Sequence, residues 1–258
     1  MSPRSVVVTG ANRGIGLGLV QNLLKNAEIE VLIATARDVK NATDLNSISD
    51  TRLRILQLDI SSDESVDRFV SESSRILGDH GLNLLVNNAA IAVKYDTLVP
   101  NRSDLYKQID VNLLSVILFT QKMLPLLRKA SSLTPSDEFS TSRSAIVFIS
   151  SGGGSITLNN WGSGAFGSMA YKVSKAALNM FVRTVSFDWK EDHVLCVSLC
   201  PGWVLTDLSV PVKDLDEETK KKKITVEQST TALVESFAKL NETHNGGFYD
   251  RFLAPIAF

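Results

Sequence analysis

Only two cysteines occur in the 258 residues, Cys196 and Cys200. Four positions apart inside an apolar run, they make neither a disulfide framework nor a metal cluster, and they read as core. Charge of one sign is also missing: 27 Lys and Arg stand against 28 Asp and Glu, a net charge of −1. Nucleic acid and acidic membranes therefore exert no global electrostatic pull on the chain. No uninterrupted apolar run approaches the ~18 residues of a membrane span. The three valines after Met1-Ser-Pro-Arg-Ser are too few for the core of a secretion signal. These absences lead us to expect a soluble cytoplasmic protein with no nucleic-acid or membrane partner. What is present is ordinary globular material, 44% hydrophobic and 21% charged, which argues against a disordered chain. The length allows one large domain or two small ones.

Apolar runs of strand length alternate with helix-length periodic segments throughout. Strands are expected at Ser5 to Thr9, Val31 to Thr35, Leu53 to Leu58, Leu84 to Val86, Ala145 to Ile149, Val194 to Leu199 and Gly247 to Tyr249. Helices are expected at Ile15 to Leu24, after a cap at Ser61 or Ser62, at Asp104 to Lys129 with a break or kink near Pro125, at Ala170 to Lys190, and at Val226 to Leu240. Parallel strands need crossovers, so this alternation implies a parallel sheet with helices on both faces. Ala130 to Arg143 reads as a surface loop, and the lysine-rich Lys213 to Lys223 as a solvated loop or helix face. Neither interrupts the pattern as a domain boundary would.

The first strand runs into Thr9-Gly10-Ala11-Asn12-Arg13-Gly14-Ile15-Gly16. Glycines between a strand and a helix let the backbone approach a phosphate, and the helix N-terminus offers it free N–H groups and a positive dipole end. At the end of the second strand stands Ala36-Arg37-Asp38, without the lone acid that would bond ribose hydroxyls. Arg37 and Arg13 together favour a 2′-phosphate, hence NADP(H) over NAD(H), unless Asp38 neutralises Arg37. Asp59 closes the third strand and can take an adenine amino group. Asn87-Asn88-Ala89-Ala90 closes the fourth, as ligand contacts or plain turn residues.

Tyr171 and Lys175 are four apart and share a helix face. A nearby ammonium is expected to pull the phenol pKa down from ~10, making a group that can give or take a carbonyl's proton. Ser150 and Ser151 end the fifth strand, where a hydroxyl can polarise the same oxygen.

Together these residues resemble a short-chain dehydrogenase/reductase over nearly the whole chain, and within that family the C-factor or sniffer-like carbonyl reductases. The family's glycine motif matches Thr9, Gly10, Gly14, Ile15 and Gly16, and its adenine-contacting acid matches Asp59 beside Ile60. Its Asn-Asn-Ala-Gly motif matches Asn87, Asn88 and Ala89, with Ala90 where glycine is usual. Its catalytic asparagine matches Asn112. Its Pro-Gly turn on the nicotinamide side matches Pro201 and Gly202, followed by Val204 and Thr206. Ser151 is preferred over Ser150 or Ser155 as the catalytic serine. It lies twenty positions before Tyr171, a wider gap than in many members, and a longer substrate loop, Gly152 to Gly167, accounts for the difference.

The resemblance implies a single-domain α/β fold over residues 1–258, a Rossmann-type doubly wound parallel sheet of about seven strands. It implies reduction of a ketone, aldehyde or quinone by NADPH. Tyr171 would protonate the alkoxide, Ser151 hold the oxygen, Lys175 lower the Tyr171 pKa and anchor ribose hydroxyls, and Asn112 position a water for proton resupply. Trp161, Phe166 and Trp203 in the flanking loops suggest an apolar or aromatic substrate. The resemblance also implies a homodimer through the long helices, though monomeric carbonyl reductases exist. The alternative is a non-catalytic NADP(H)-binding regulatory protein on the same fold. A serine hydrolase fits poorly, since Ser151 lacks a Gly-x-Ser-x-Gly elbow and only His80, His193 or His244 could act as its base.

Overall fold

A computed structural model describes residues 2–164, 167–208 and 215–258. Seven parallel strands form one sheet in the order β3-β2-β1-β4-β5-β6-β7. They are β1 (Ser5–Val8), β2 (Val31–Ala36), β3 (Leu53–Gln57), β4 (Leu84–Asn87), β5 (Ala145–Ile149), β6 (Leu195–Cys200) and β7 (Phe248–Asp250). The helices are α1 (Gly14–Leu23), α2 (Thr43–Asn46), α3 (Asp63–Leu77), α4 (Arg102–Ile109), α5 (Ser115–Ser132), α6 (Met169–Asp188), α7 (Glu217–Lys222) and α8 (Val226–Phe237). This is the Rossmann-type doubly wound sheet that the alternation implied.

The period-two rule of a strand explains both layers. Val6, Val8, Leu32, Ala34, Val86 and Val197 face one side, against Leu19 and Leu23 of α1 and Leu233 and Phe237 of α8. Val7, Ile33, Leu85, Ile146, Phe148 and Cys196 face the other, against Phe69 of α3, Phe119 and Met123 of α5, and Leu178 and Val182 of α6. Each such side chain, fully buried, contributes about 1.5–3 kcal/mol. The order in which strands are added reverses between β1 and β4, with β2 and β3 on one side and β5, β6 and β7 on the other, and this switch opens a crevice at the strands' carboxyl ends.

Two expectations are corrected. Helix α5 does not break at Pro125 but runs through it. Pro125 faces solvent, so water can satisfy the carbonyl one turn back, while buried Met123, Leu124, Leu126 and Leu127 hold the helix to the sheet. The irregularity lies earlier, where Asp110–Leu114 forms a π-helical turn between α4 and α5. By length and composition the stretch Arg102–Ser132 would suffice to cross a bilayer, yet its apolar side packs on the sheet. The segment before β5 is also less of a surface loop than expected. Phe139 is buried in the core, and buried Arg143 donates to Ser131 Oγ at 2.9 Å and to the Ser136 carbonyl. Within the lysine-rich segment, α7 is solvated as expected, with Lys220 and Lys222 paired to Glu217 and Glu218. Lys213 and Asp214 lie outside the described residues.

Candidate active site

The crevice is built where β1 and β4 end. Thr9 Oγ1 accepts the Asn88 and Ala89 N–H groups, each at 3.0 Å. Asn88 Nδ2 returns the bond, donating to the Thr9 carbonyl at 2.9 Å and the Gly10 carbonyl at 3.1 Å. This reciprocal clamp fixes the glycine turn. Gly10 sits at φ +64 with Ala89 packed against it, a backbone state that costs an L-residue roughly 1–2 kcal/mol. A Cβ on Gly16 would lie 2.2 Å from the Gly10 carbonyl and 2.6 Å from Asn88 Nδ2. Only glycine fits there. Helix α1 then starts at Gly14 with no side-chain cap on its first turn, leaving its N–H groups to an outside anion. This uncapped turn suits a dinucleotide pyrophosphate.

Other expected cofactor residues border the same crevice. Asn12, Arg13 and Arg37 are exposed around the turn. Among the described residues no ion pair joins Asp38 to Arg37, although Asp38 stays ionised. Its carboxylate accepts Asn41 Nδ2 at 2.6 Å and the Asn41 N–H at 3.2 Å, bonds that hold its pKa below the ordinary value. Asp59 follows β3 half-buried, with Oδ1 accepting the Ser61 hydroxyl at 2.7 Å, and Ile60 is buried beside it. The Pro201 carbonyl accepts Ser229 Oγ at 2.7 Å. Beyond Gly202, the Leu205 N–H donates to the Ile224 carbonyl at 2.9 Å and Val204 is buried. A Cβ on Gly14 would meet the Thr206 methyl at 3.4 Å, so this arm returns to the start of α1. Residues from both ends of the chain thus meet at one edge.

The expected proton-transfer group sits at the ends of β5 and α6. Lys175 is buried, donates to the Ile149 carbonyl at 2.7 Å, and lies 5.7 Å from the Tyr171 ring centroid. Ser150 is turned inward, its hydroxyl donating to Asn179 Oδ1 at 2.7 Å. Ser155 donates to the Ala257 carbonyl at 2.5 Å. Of the three serines, Ser151 is the one whose side chain hydrogen-bonds Tyr171. Asn112, buried in the π turn, accepts the Ile91 N–H at 2.9 Å, and its Nδ2 donates to the Ile91 carbonyl at 2.9 Å and to Ser174 Oγ at 3.3 Å. It braces the β4 exit against the helix that carries Tyr171.

The expected direction of the Tyr171 pKa is corrected. Burial pushes the phenol up to about 12, although Ser151 pulls it down. Burial also presses Lys175 down to about 8, which weakens the ammonium that was to lower its neighbour. Desolvation is the largest influence on both groups, which sit one helical turn apart at the ends of β5 and α6. The reading of Cys200 as plain core is corrected as well. Cys196 is core, but Cys200 is half-buried beside Tyr171 and Lys175, its sulfur accepting the Gly152 N–H at 3.1 Å.

Asn179, which holds Ser150, was missed by sequence reasoning. Its place one further turn along the face of Tyr171 and Lys175 was the available signal. Trp161 and Trp203 are half-exposed, each with one face against a lysine, Lys172 at 4.5 Å and Lys223 at 5.3 Å. Phe166 lies outside the described residues. His80, His193 and His244 all precede strands, at the opposite edge of the sheet from Ser151, so a serine hydrolase has no base.

Comparison with known proteins agrees with this geometry. The family model for short chain dehydrogenases matches residues 4–217. An uncharacterised oxidoreductase of Schizosaccharomyces pombe is 30% identical, covering 94% of this chain and 93% of its own. A Caenorhabditis elegans structure presented as the carbonyl reductase Sniffer is 50% identical, with full coverage of both chains and a TM-score of 0.90. An NADPH-bound carbonyl reductase from chicken fatty liver is 35% identical, with a TM-score of 0.93 over 100% of this chain and 95% of its own. With its clamped glycine turn and its Ser151–Tyr171–Lys175 group at one sheet edge, the chain belongs to the short-chain dehydrogenase/reductase family of oxidoreductases.

Proposed function

We propose that the protein is a cytoplasmic NADPH-dependent carbonyl reductase that converts a ketone, aldehyde or quinone to an alcohol. The observation that carries this reading is geometric: Tyr171 lies with its ring centre 5.7 Å from the buried Lys175 ammonium, beside Ser151, at the same sheet edge as the clamped glycine turn. A phenol that keeps its proton at neutral pH can give it to the oxygen of a carbonyl as hydride reaches the carbon.

Bound NADPH supplies the hydride. Gly10, Asn12, Arg13, Gly14, Ile15 and Gly16 hold its phosphates, Asp59 and Ile60 its adenine, and Asn88, Ala89, Pro201, Gly202, Val204 and Thr206 its nicotinamide half. Ser151 orients the substrate oxygen, Tyr171 gives it a proton, and Lys175 stabilises the phenolate left behind and anchors the ribose. Lys175 passes a proton back to the Tyr171 phenolate, and Asn112 positions the water through which solvent resupplies Lys175. Monitoring NADPH loss against quinones, aldehydes and ketones tests the reading; no loss with any carbonyl would refute it.

Preference for the phosphorylated cofactor is supported by the exposed guanidinium groups of Arg13 and Arg37. The NADPH held by the chicken relative points the same way. Arg37→Ala should raise the Kd for NADPH by about tenfold or more and leave that for NADH within about twofold, since a charged hydrogen bond is worth ~1.5–3 kcal/mol. Equal weakening of both cofactors would remove the argument. Exposed Trp161 and Trp203 support an apolar or aromatic substrate.

A homodimer through α5 and α6 is supported by exposed apolar residues there. Val173, Met180 and Phe187 recur every seven residues on α6, and Leu114, just before α5, and Leu118, on its first turn, are exposed. Sedimentation of wild type should give a dimer, and M180K/F187E a folded monomer. A monomeric wild type would overturn the assignment.

A further inference from the structure

Directly after Tyr171, on the first turn of α6, stands Lys172, a lysine only 9% exposed. Its ammonium donates to Asn159 Oδ1 at 3.0 Å and to the Gly162 carbonyl, and lies 4.5 Å from the centre of the Trp161 ring. An ammonium has three donors. Here an amide oxygen, a backbone carbonyl and an aromatic face each take one, all from four consecutive residues of the long segment between Ser151 and Tyr171. The stem packs on the same segment: a Cβ on Gly153 would meet Lys172 Cγ at 3.3 Å.

Buried lysines are costly unless their charge is met. Among the described residues, the contacts that meet this one belong to the loop following β5, and none belongs to Tyr171, Ser151 or Lys175. An ammonium with its donors so engaged is a fastener and has no free proton path to the phenol. Trp161, with one face on Lys172, is still 56% exposed, so the contact presents the rest of the ring outward at a fixed place relative to α6.

We propose that Lys172 is a positioning residue that fastens the 159–162 segment, and with it the Trp161 ring, to the helical turn carrying Tyr171, and thereby sets affinity for apolar carbonyl substrates. This rests on the carbonyl-reductase reading for its kinetic part and on the contacts alone for its structural part. The charge of Lys172 is spent on the loop, whereas that of Lys175 serves the proton transfer.

The test pairs hydrogen exchange with kinetics, using Lys172→Met, Lys172→Arg and, from the loop side, Asn159→Ala in case Lys172→Met fails to fold. In Lys172→Met, amide exchange over 156–162 should speed up by about tenfold or more while that of 176–188 is unchanged. KM for nitrobenzaldehyde should rise about tenfold, with kcat within about twofold of wild type, the kcat–pH profile unmoved and the NADPH Kd unchanged. Lys172→Arg should restore most of both effects, and Asn159→Ala should reproduce their direction. Unchanged exchange over 156–162 in both Lys172→Met and Asn159→Ala overturns the fastener. A fall in kcat with a displaced pH profile also overturns it, placing Lys172 in proton transfer. If wild type reduces no carbonyl, the activity reading fails by itself, and the exchange data still decide the role of Lys172.

Discussion

Tyr171→Phe is expected to lower carbonyl reduction by ~10²–10⁴-fold, the usual worth of a positioned general acid, while NADPH binds as tightly as before. Phenylalanine keeps the ring against Lys175 and removes only the hydroxyl that Ser151 bonds. Stopped-flow reduction and cofactor fluorescence separate the two effects. Turnover within a few-fold of wild type would remove Tyr171 from the chemistry. The same groups set the pH dependence. With the phenol pushed up to about 12, Tyr171 keeps its proton across the working range. Lys175, pressed down to about 8, loses its charge above that pH. The kcat for reduction should therefore be level below pH of about 8 and decline above it, as the ammonium that stabilises the phenolate disappears. Alcohol oxidation needs the phenolate and should rise with pH.

Gly16→Ala should damage both the fold and the cofactor turn. The added carbon would sit 2.2 Å from the Gly10 carbonyl, a backbone atom, and 2.6 Å from the Asn88 amide that clamps the turn. Neither can withdraw without opening the junction of β1 and β4. Overpacking of this kind costs roughly 1–3 kcal/mol, and a chain of this size loses about 2–4 °C of Tm per kcal/mol. Because the displaced atoms form the phosphate turn, NADPH binding should weaken at least about tenfold as well. Thermal melts with and without NADPH check both. An unchanged Tm together with unchanged affinity would show that the turn is looser than described.

The strands were legible because a sheet buried on both faces leaves short, continuous apolar runs, as in Val6-Val7-Val8 and Ala145 to Ile149. The π turn at Asp110–Leu114 was not, since nothing in Asp-Val-Asn-Leu-Leu departs from helical spacing. Pro125 misled because a proline's cost depends on which side of the helix meets water, and that is fixed by tertiary packing. Tyr171 and Lys175 were found by spacing, but the direction of the phenol pKa was not. Proximity of a cation is readable from i and i+4, whereas desolvation depends on what covers the pair. Ser150 and Ser151 are equivalent as text and differ only in where the strand points them, one to Asn179 and one to Tyr171. Lys172 left no sequence signal, because its partners lie ten to thirteen positions away in an irregular loop.

The central claim is that hydride passes from NADPH to a substrate carbonyl at this sheet edge. Incubating the enzyme with a reactive quinone or aldehyde and NADPH carrying deuterium at the transferring position of the nicotinamide ring tests it most directly, by the mass of the alcohol formed. The account predicts one deuterium on the carbinol carbon of an aldehyde-derived alcohol, formed by wild type and lost with Tyr171→Phe. NADPH bound with no deuterated product from any carbonyl would contradict it and leave a nucleotide-binding protein that does no chemistry.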